Sequence, residues 1–281
     1  MDAEGRYTVH TYRWCRAEGA NRPKQVMKAH SNHGTFFNDR RSFLGSALAG
    51  LLDTGQHHNT MKFMTDVPKI PLTSHHRIEA DGVSVFYREA GPANAPVILL
   101  LHGFPTSSFQ YRELIPRLAD RYRVIAPDLP GFGFTEVPAE RNYRYTFDAL
   151  AKTIFAFTQV LKLPRYAMYV FDYGAPTGFR LALMAPERVT AIVSQNGNAY
   201  EEGLGDAWQP IQRYWREPTL EHRNAIRAGM TMEGMRHEYS VGIPDPALIK
   251  PEGYTLDAAL LARFLGTSTY NWTFFSTMPI T

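Results

Sequence analysis

The sequence is nearly devoid of cysteine: Cys15 is the only one in 281 residues. A single thiol excludes an intrachain disulfide and any metal site built from cysteines. Long apolar runs are missing too. None reaches the roughly 18–20 residues that a bilayer crossing needs, so no membrane span is expected. Basic stripes are absent from most of the chain. Residues 1–60 carry eight Lys/Arg against five acids, which accounts for the whole formal charge of +3. The basic character belongs to an N-terminal extension, and no nucleic-acid partner is expected. No Gly-x-Ser-x-Gly occurs, which speaks against a serine esterase.

What is present suits a globular chain. Hydrophobic residues make up 44 % and aromatics 13 %, enough for a sizeable core. Four segments are expected. Residues 1–65 are an extension with five of the ten histidines and little periodicity, read as poorly ordered. Within it, Arg40-Arg41 precedes Ser42, Phe43, Leu44 and an apolar stretch to Leu52. That pattern resembles a twin-arginine export signal. The competing reading is an over-extended frame that truly starts at Met61 or Met64. A cytoplasmic location is expected, and a periplasmic one if the arginine pair begins a signal.

Residues 66–197 form the core segment. His76 to Ala80 and Val83 to Glu89 alternate around Asp81-Gly82, a hairpin signal. Val97 to Leu101 is continuously apolar, as in a strand buried on both faces. A helix is expected from Ser107 or Ser108 to Asp120, then a strand from Arg123 to Pro127. Thr146 caps a helix with apolar residues at Leu150, Ile154, Phe157 and Leu161. Tyr166 to Phe171 reads as a strand, Ala175 to Met184 as a helix and Val189 to Ser194 as a strand. This alternation predicts an α/β fold with a mostly parallel sheet and helices on both faces. Residues 198–264, rich in aromatics and charge, read as a helical cap. Residues 265–281 form an atypical tail rich in Thr and Ser.

The chemistry centres on Tyr169-Val170-Phe171-Asp172-Tyr173-Gly174-Ala175. An apolar strand ends on a polar residue, and small residues open the helix after it. A sharp strand–turn–helix presents one side chain above the sheet, and here that side chain is Asp172. The bland alternative is a solvated turn residue. Two upstream loops favour function. His102-Gly103-Phe104-Pro105 follows the buried strand and can aim a backbone N–H at a developing oxyanion. Phe104 and Tyr173 are the expected donors, with His102, Gly103 and Pro105 as the supporting loop. Asp128-Leu129-Pro130-Gly131-Phe132-Gly133 suggests a tight turn beneath the site.

Together these segments resemble the α/β-hydrolase superfamily, in its epoxide hydrolase and haloalkane dehalogenase branch. The likeness runs from about Val83 to Gly197. It implies covalent catalysis without a cofactor or metal. An ionised Asp172 attacks a carbon bearing an epoxide oxygen or a halide and forms an alkyl-enzyme ester. A histidine oriented by an acid then activates water to hydrolyse it. Dehalogenases of this branch place Asn after His-Gly and Trp after the nucleophile. This chain has Phe104 and Tyr173, which lack a side-chain N–H, so a haloalkane is less expected than an epoxide; Tyr173 also departs from the Trp usual in epoxide hydrolases, which leaves the substrate open. Cap tyrosines donate to the epoxide oxygen in that family; Tyr214 and Tyr239 are the candidates, with cap packing as the plainer role. A small hydrophobic substrate is expected, and nothing fixes an oligomeric state. A dehalogenase-like hydrolase acting on a different halide class and a non-catalytic binding protein with an apolar pocket are the alternatives.

The acid and histidine follow the nucleophile in chain order in this fold. After Asp172 only His222 and His237 occur, both in the expected cap. Gln195, Asn196 and Asn198 bring no carboxylate after the strand ending near Ser194. The expectation is a chain that lacks the last strands, leaves a bare sheet edge and stops chemistry at the ester. A frameshift near Phe264 is one explanation.

Overall fold

The computed structural model describes residues 8–16, 25–33, 71–200 and 204–265. The arginine pair at 40–41, the alternative starts at Met61 and Met64, and residues 266–281 with their suggested frameshift lie outside the described residues. The eight strands are β1 (Thr8–Arg16), β2 (Gln25–His33), β3 (Ser74–Ala80), β4 (Val83–Ala90), β5 (Val97–Leu101), β6 (Arg123–Pro127), β7 (Tyr166–Phe171) and β8 (Val189–Gln195). They form one sheet in the order β2-β1-β8-β7-β5-β6-β4-β3.

The centre of the sheet is parallel, with β5 beside both β6 and β7, and β7 beside β8. A hairpin closes one edge. β3 and β4 run antiparallel, from Ser74 opposite Glu89 to Ala80 opposite Val83. Asp81 and Gly82 both take positive φ, 54° and 68°. That two-residue turn matches the natural twist of the strands it joins.

β5 sits at the middle, and Leu99, Leu100 and Leu101 have no exposure at all. Side chains alternate between its faces. Leu99 and Leu101 join the larger core with Val85, Ile154, Phe157 and Val170. Leu100 joins the opposite core with Tyr111, Ile115, Val124 and Ala126. A sheet strand covered on both faces has no polar side to show, which is why its sequence reads as one apolar run.

Two helices cover the larger core: α2 (Phe147–Val160) and α3 (Gly174–Met184). The Thr146 hydroxyl oxygen accepts from the Ala149 N–H at 3.1 Å, capping α2. Leu150, Ile154 and Phe157 recur at helical spacing and are fully buried. On the other face the expected helix from Ser107 to Asp120 is not continuous. It is a 3₁₀ turn at Ser108–Tyr111 and one helical turn, α1 (Ile115–Leu118). Pro116 explains the break. It has no N–H, and its ring crowds the carbonyl four residues back.

Beyond β8, four helices make the expected cap: α4 (Gln209–Arg216), α5 (Leu220–Ala228), α6 (Met232–Ser240) and α7 (Pro251–Leu265). Thr219 and Thr231 cap α5 and α6 through their hydroxyl oxygens. Ion pairs from Lys250 to Glu113 and from Arg112 to Glu252 fasten α7 to the segment after the β5 loop.

Two segments of the N-terminal extension, Thr8–Arg16 and Gln25–His33, are strands where a lack of order was expected. Thr, Val, Tyr and Trp in 8–16 favour extended backbone. β1 pairs antiparallel with β8, from Val9 opposite Gln195 to Tyr12 opposite Ile192. The β8 edge, expected to be bare, therefore has a neighbour. An unpaired strand edge is a template for any extended segment within reach.

Candidate active site

Leu101 and Val170 are register partners in the parallel pair β5–β7. The loops that leave these strands therefore emerge together at the carboxyl ends, the usual ligand side of an open α/β sheet. One loop is His102–Pro105 and the other holds Asp172 and Tyr173.

Asp172 has φ +47°, a left-handed conformation that a non-glycine residue adopts at a cost. Two glycines make room for it. A Cβ on Gly103 would stand 2.6 Å from the Asp172 Cβ, and one on Gly174 would stand 2.1 Å from the Leu101 carbonyl oxygen. Neither position tolerates a side chain without movement of the site.

The carboxylate is held asymmetrically. The Phe104 N–H donates to Asp172 Oδ1 at 2.7 Å, and the Tyr173 N–H donates to the same oxygen at 2.6 Å. Oδ2 takes part in neither bond. Burial pushes the acid up to about 6, against the two N–H bonds, which favour the ionised form; Glu238 adds a smaller upward push. Asp172 thus remains mostly a carboxylate at neutral pH.

His102 is fully buried. Its Nε2 accepts from the Leu129 N–H at 2.9 Å, so Nδ1 carries the proton and donates to the Gly103 carbonyl at 2.8 Å. Burial holds its basicity below normal. This imidazole braces the loop, and both its nitrogens are engaged. Asp128 is equally buried and ties the next loop, accepting from the Ser108 N–H at 2.7 Å and the Phe134 N–H at 2.8 Å.

A narrow cleft, with room for little more than a water molecule, opens over Asp172. Tyr173, Phe147 and Pro176 line it from the core. Asn198, Trp208 and Trp215 line it from the cap side. The Tyr173 ring lies 5.3 Å from Phe147 and 6.3 Å from Trp208, so the wall is largely aromatic. Sequence reasoning did not assign the cap tryptophans to the site. Their spacing of seven, two helical turns, is the signal that they share a face.

The two cap tyrosines fall elsewhere. Tyr214 is 7 % exposed and joins the larger core. Tyr239 donates its hydroxyl to Asp257 Oδ2, and Asp257 is itself buried. Neither lines the cleft. His222 Nδ1 is bonded to the Glu217 carbonyl at 2.8 Å, and His237 is exposed on α6. Among the described residues no histidine hydrogen-bonds Asp172, and no cluster of His, Cys, Asp and Glu could hold a metal ion. No helix among them is long and apolar enough to cross a membrane.

Comparison with known proteins agrees with this architecture. The profile of the alpha/beta hydrolase fold matches residues 96–218. "Uncharacterized hydrolase YNR064C" of Saccharomyces cerevisiae is 50 % identical over 194 residues, covering 67 % of this chain and 66 % of that protein. A haloalkane dehalogenase of Mycobacterium marinum is 33 % identical over 168 residues, covering 57 % of this chain and 56 % of its own length. The match thus spans between about half and two thirds of these relatives. Among solved structures, wild-type Cfl2 from Burkholderia cenocepacia superposes with a TM-score of 0.58 at 25 % identity, covering 70 % of this chain and 68 % of that one.

Proposed function

The chain belongs to the α/β-hydrolase superfamily, and from that premise we propose that Asp172 is the nucleophile, forming an alkyl-enzyme ester with a small hydrophobic electrophile. The observation that carries this reading is the pair of N–H bonds to one carboxylate oxygen. Phe104 and Tyr173 fix Oδ1 and leave Oδ2 to attack carbon. After attack, Oδ1 becomes the carbonyl oxygen of the ester. The same two N–H groups then lie where negative charge develops when water adds to that carbonyl. One set of donors serves both steps. An aspartate needs no base to become a nucleophile, because its ionised form already predominates at neutral pH.

An epoxide is the favoured electrophile. Phe104 and Tyr173 contribute backbone donors to Asp172 and bring no side-chain N–H for a halide. Hydrolysis of the ester is the weaker half of the reading. Among the described residues no histidine is bonded to Asp172, so the ester is expected to accumulate, with water attacking it slowly.

Incubation with styrene oxide, followed by intact-mass measurement and peptide mapping, tests the proposal. One adduct on Asp172, absent from Asp172→Asn, is the expected result. Sustained diol formation with no adduct would overturn the expectation of a stalled ester. No modification at Asp172 by any epoxide or alkyl halide would overturn the nucleophile itself. A haloalkane substrate is the second reading, favoured by the match to a haloalkane dehalogenase. Halide release in step with Asp172 modification separates it from the first.

A further inference from the structure

A second groove lies at the amino ends of the strands, away from Asp172. β7 and β8 run parallel, and Tyr166 at the start of one stands opposite Val189 at the start of the other. The segments that lead into these strands therefore meet. One is the turn that closes α2. The Lys162 N–H donates to the Gln159 carbonyl at 2.9 Å and the Leu163 N–H to the Thr158 carbonyl at 2.9 Å, with Lys162 at φ +53°. Pro164 then bars any continuation of the helix. The other segment is the 3₁₀ turn Pro186–Arg188. Between them Gln159, Lys162, Leu163, Pro164 and Arg188 line a groove of about 320 Å³. That volume lies in the range of sites for small organic ligands. The six residues of β7 put roughly 17 Å between this groove and Asp172.

The groove is cationic. Its lining holds Lys162 and Arg188 and no acid. Arg188 Nη1 is buried with no hydrogen-bond partner. The Phe155 ring, 5.5 Å from the guanidinium carbon, faces this charge. A ring face offsets only part of what a cation loses on leaving water. Glu187, the acid next to Arg188 in the chain, is exposed. Among the described residues no ion pair joins an acid to Lys162 or Arg188. We propose that this groove is a second binding site, for a small organic phosphate monoester. A phosphate dianion answers both cations at once. The planar fork of the guanidinium and the point charge of the ammonium both suit its oxygens. The Gln159 amide can donate a further hydrogen bond. The organic part of the ligand then lies along Leu163 and Pro164. A carboxylate carries one charge and leaves one cation unanswered. The site is independent of any role for Asp172.

Isothermal titration calorimetry on the full chain at fixed ionic strength tests the proposal with phenyl phosphate, benzoate and inorganic phosphate. Phenyl phosphate is expected to bind at one site, at least about tenfold more tightly than benzoate, the effect of one charge-assisted hydrogen bond. Inorganic phosphate is expected to bind more weakly than phenyl phosphate, because it leaves Leu163 and Pro164 uncovered. These comparisons depend on no variant. Lys162→Gln and Arg188→Gln are each expected to weaken phenyl phosphate by at least about tenfold. Lys162 is exposed, so its variant carries the test if the arginine variant fails to fold. No saturable binding of phenyl phosphate, or undiminished binding in a folded Lys162→Gln, overturns the site. Equal affinity for benzoate overturns the preference for a dianion. Equal affinity for inorganic phosphate overturns the organic ester in favour of the free ion.

Discussion

Gly103 and Asp172 approach so closely that a methyl group on the glycine would stand 2.6 Å from the aspartate Cβ and 2.9 Å from its Oδ1. Sixty-eight residues separate Phe104 from Asp172, yet their bond is 2.7 Å long. The β5–β7 register brings the two loops together, and the missing side chain lets them touch.

Gly103→Ala must therefore displace either the Phe104 N–H or the carboxylate. The rate of Asp172 modification is expected to fall by about 10²-fold, the typical effect of a misplacement near 1 Å. Far-UV circular dichroism should be unchanged. A variant modified at the wild-type rate shows that the two loops can part without consequence.

The modification rate should follow the ionisation of Asp172. If Asp172 is the nucleophile, as proposed, the carboxylate is the attacking form, and the rate rises with pH through a midpoint near 6 and levels off above it. Protonation below that midpoint removes the proposed nucleophile. A profile flat between about pH 5 and 8 contradicts the assigned burial effect.

The same upward shift has a consequence for stability. The acid sits at about 6 when folded against 3.8 as the ordinary value. The folded state therefore binds the proton more readily than the unfolded chain. The burden of the buried charge is absent below 3.8 and complete above about 6. Asp172→Asn should be more stable than the wild type at pH 8 by roughly 1–3 kcal/mol, with the gain vanishing near pH 4. Urea titrations at the two pH values measure it, and a gain that is equal at both refutes the linkage.

Tyr239→Phe separates a packing role from a chemical one. The tyrosine donates to Asp257, which is 1 % exposed. Losing that donor leaves a buried carboxylate oxygen without its partner and should lower stability by about 1–3 kcal/mol. The rate of Asp172 modification by an epoxide should be unaffected. A large loss of rate with unchanged stability makes Tyr239 a proton donor after all.

Local pattern carries a great deal in this chain. The Asp81-Gly82 turn, the apolar run of β5 and the cap at Thr146 are each fixed by neighbouring residues, and their sequence readings agree with the structure within a residue or two. The sharp turn at Asp172 was legible as well, because a strand that stops at a polar residue before small ones has few other conformations. The expected helix from Ser107 to Asp120 shows the opposite case, since one proline inside a helical pattern decides the outcome.

Other features were settled only by tertiary structure. Phe147, Asp172, Asn198 and Trp215 come from four segments, and no local signal says that they share a cleft. His102 was expected only as part of a supporting loop, and the partner that fixes its ring, the Leu129 N–H, is 27 residues away. Tyr239 looks like a donor to substrate, but its hydroxyl donates to Asp257 instead. The sequence by itself determined which backbone shapes form and which side chain stands at the elbow, because turns, caps and alternation depend on near neighbours. The fold decided which distant groups meet, and with that which polar groups are already satisfied and which are left for a ligand.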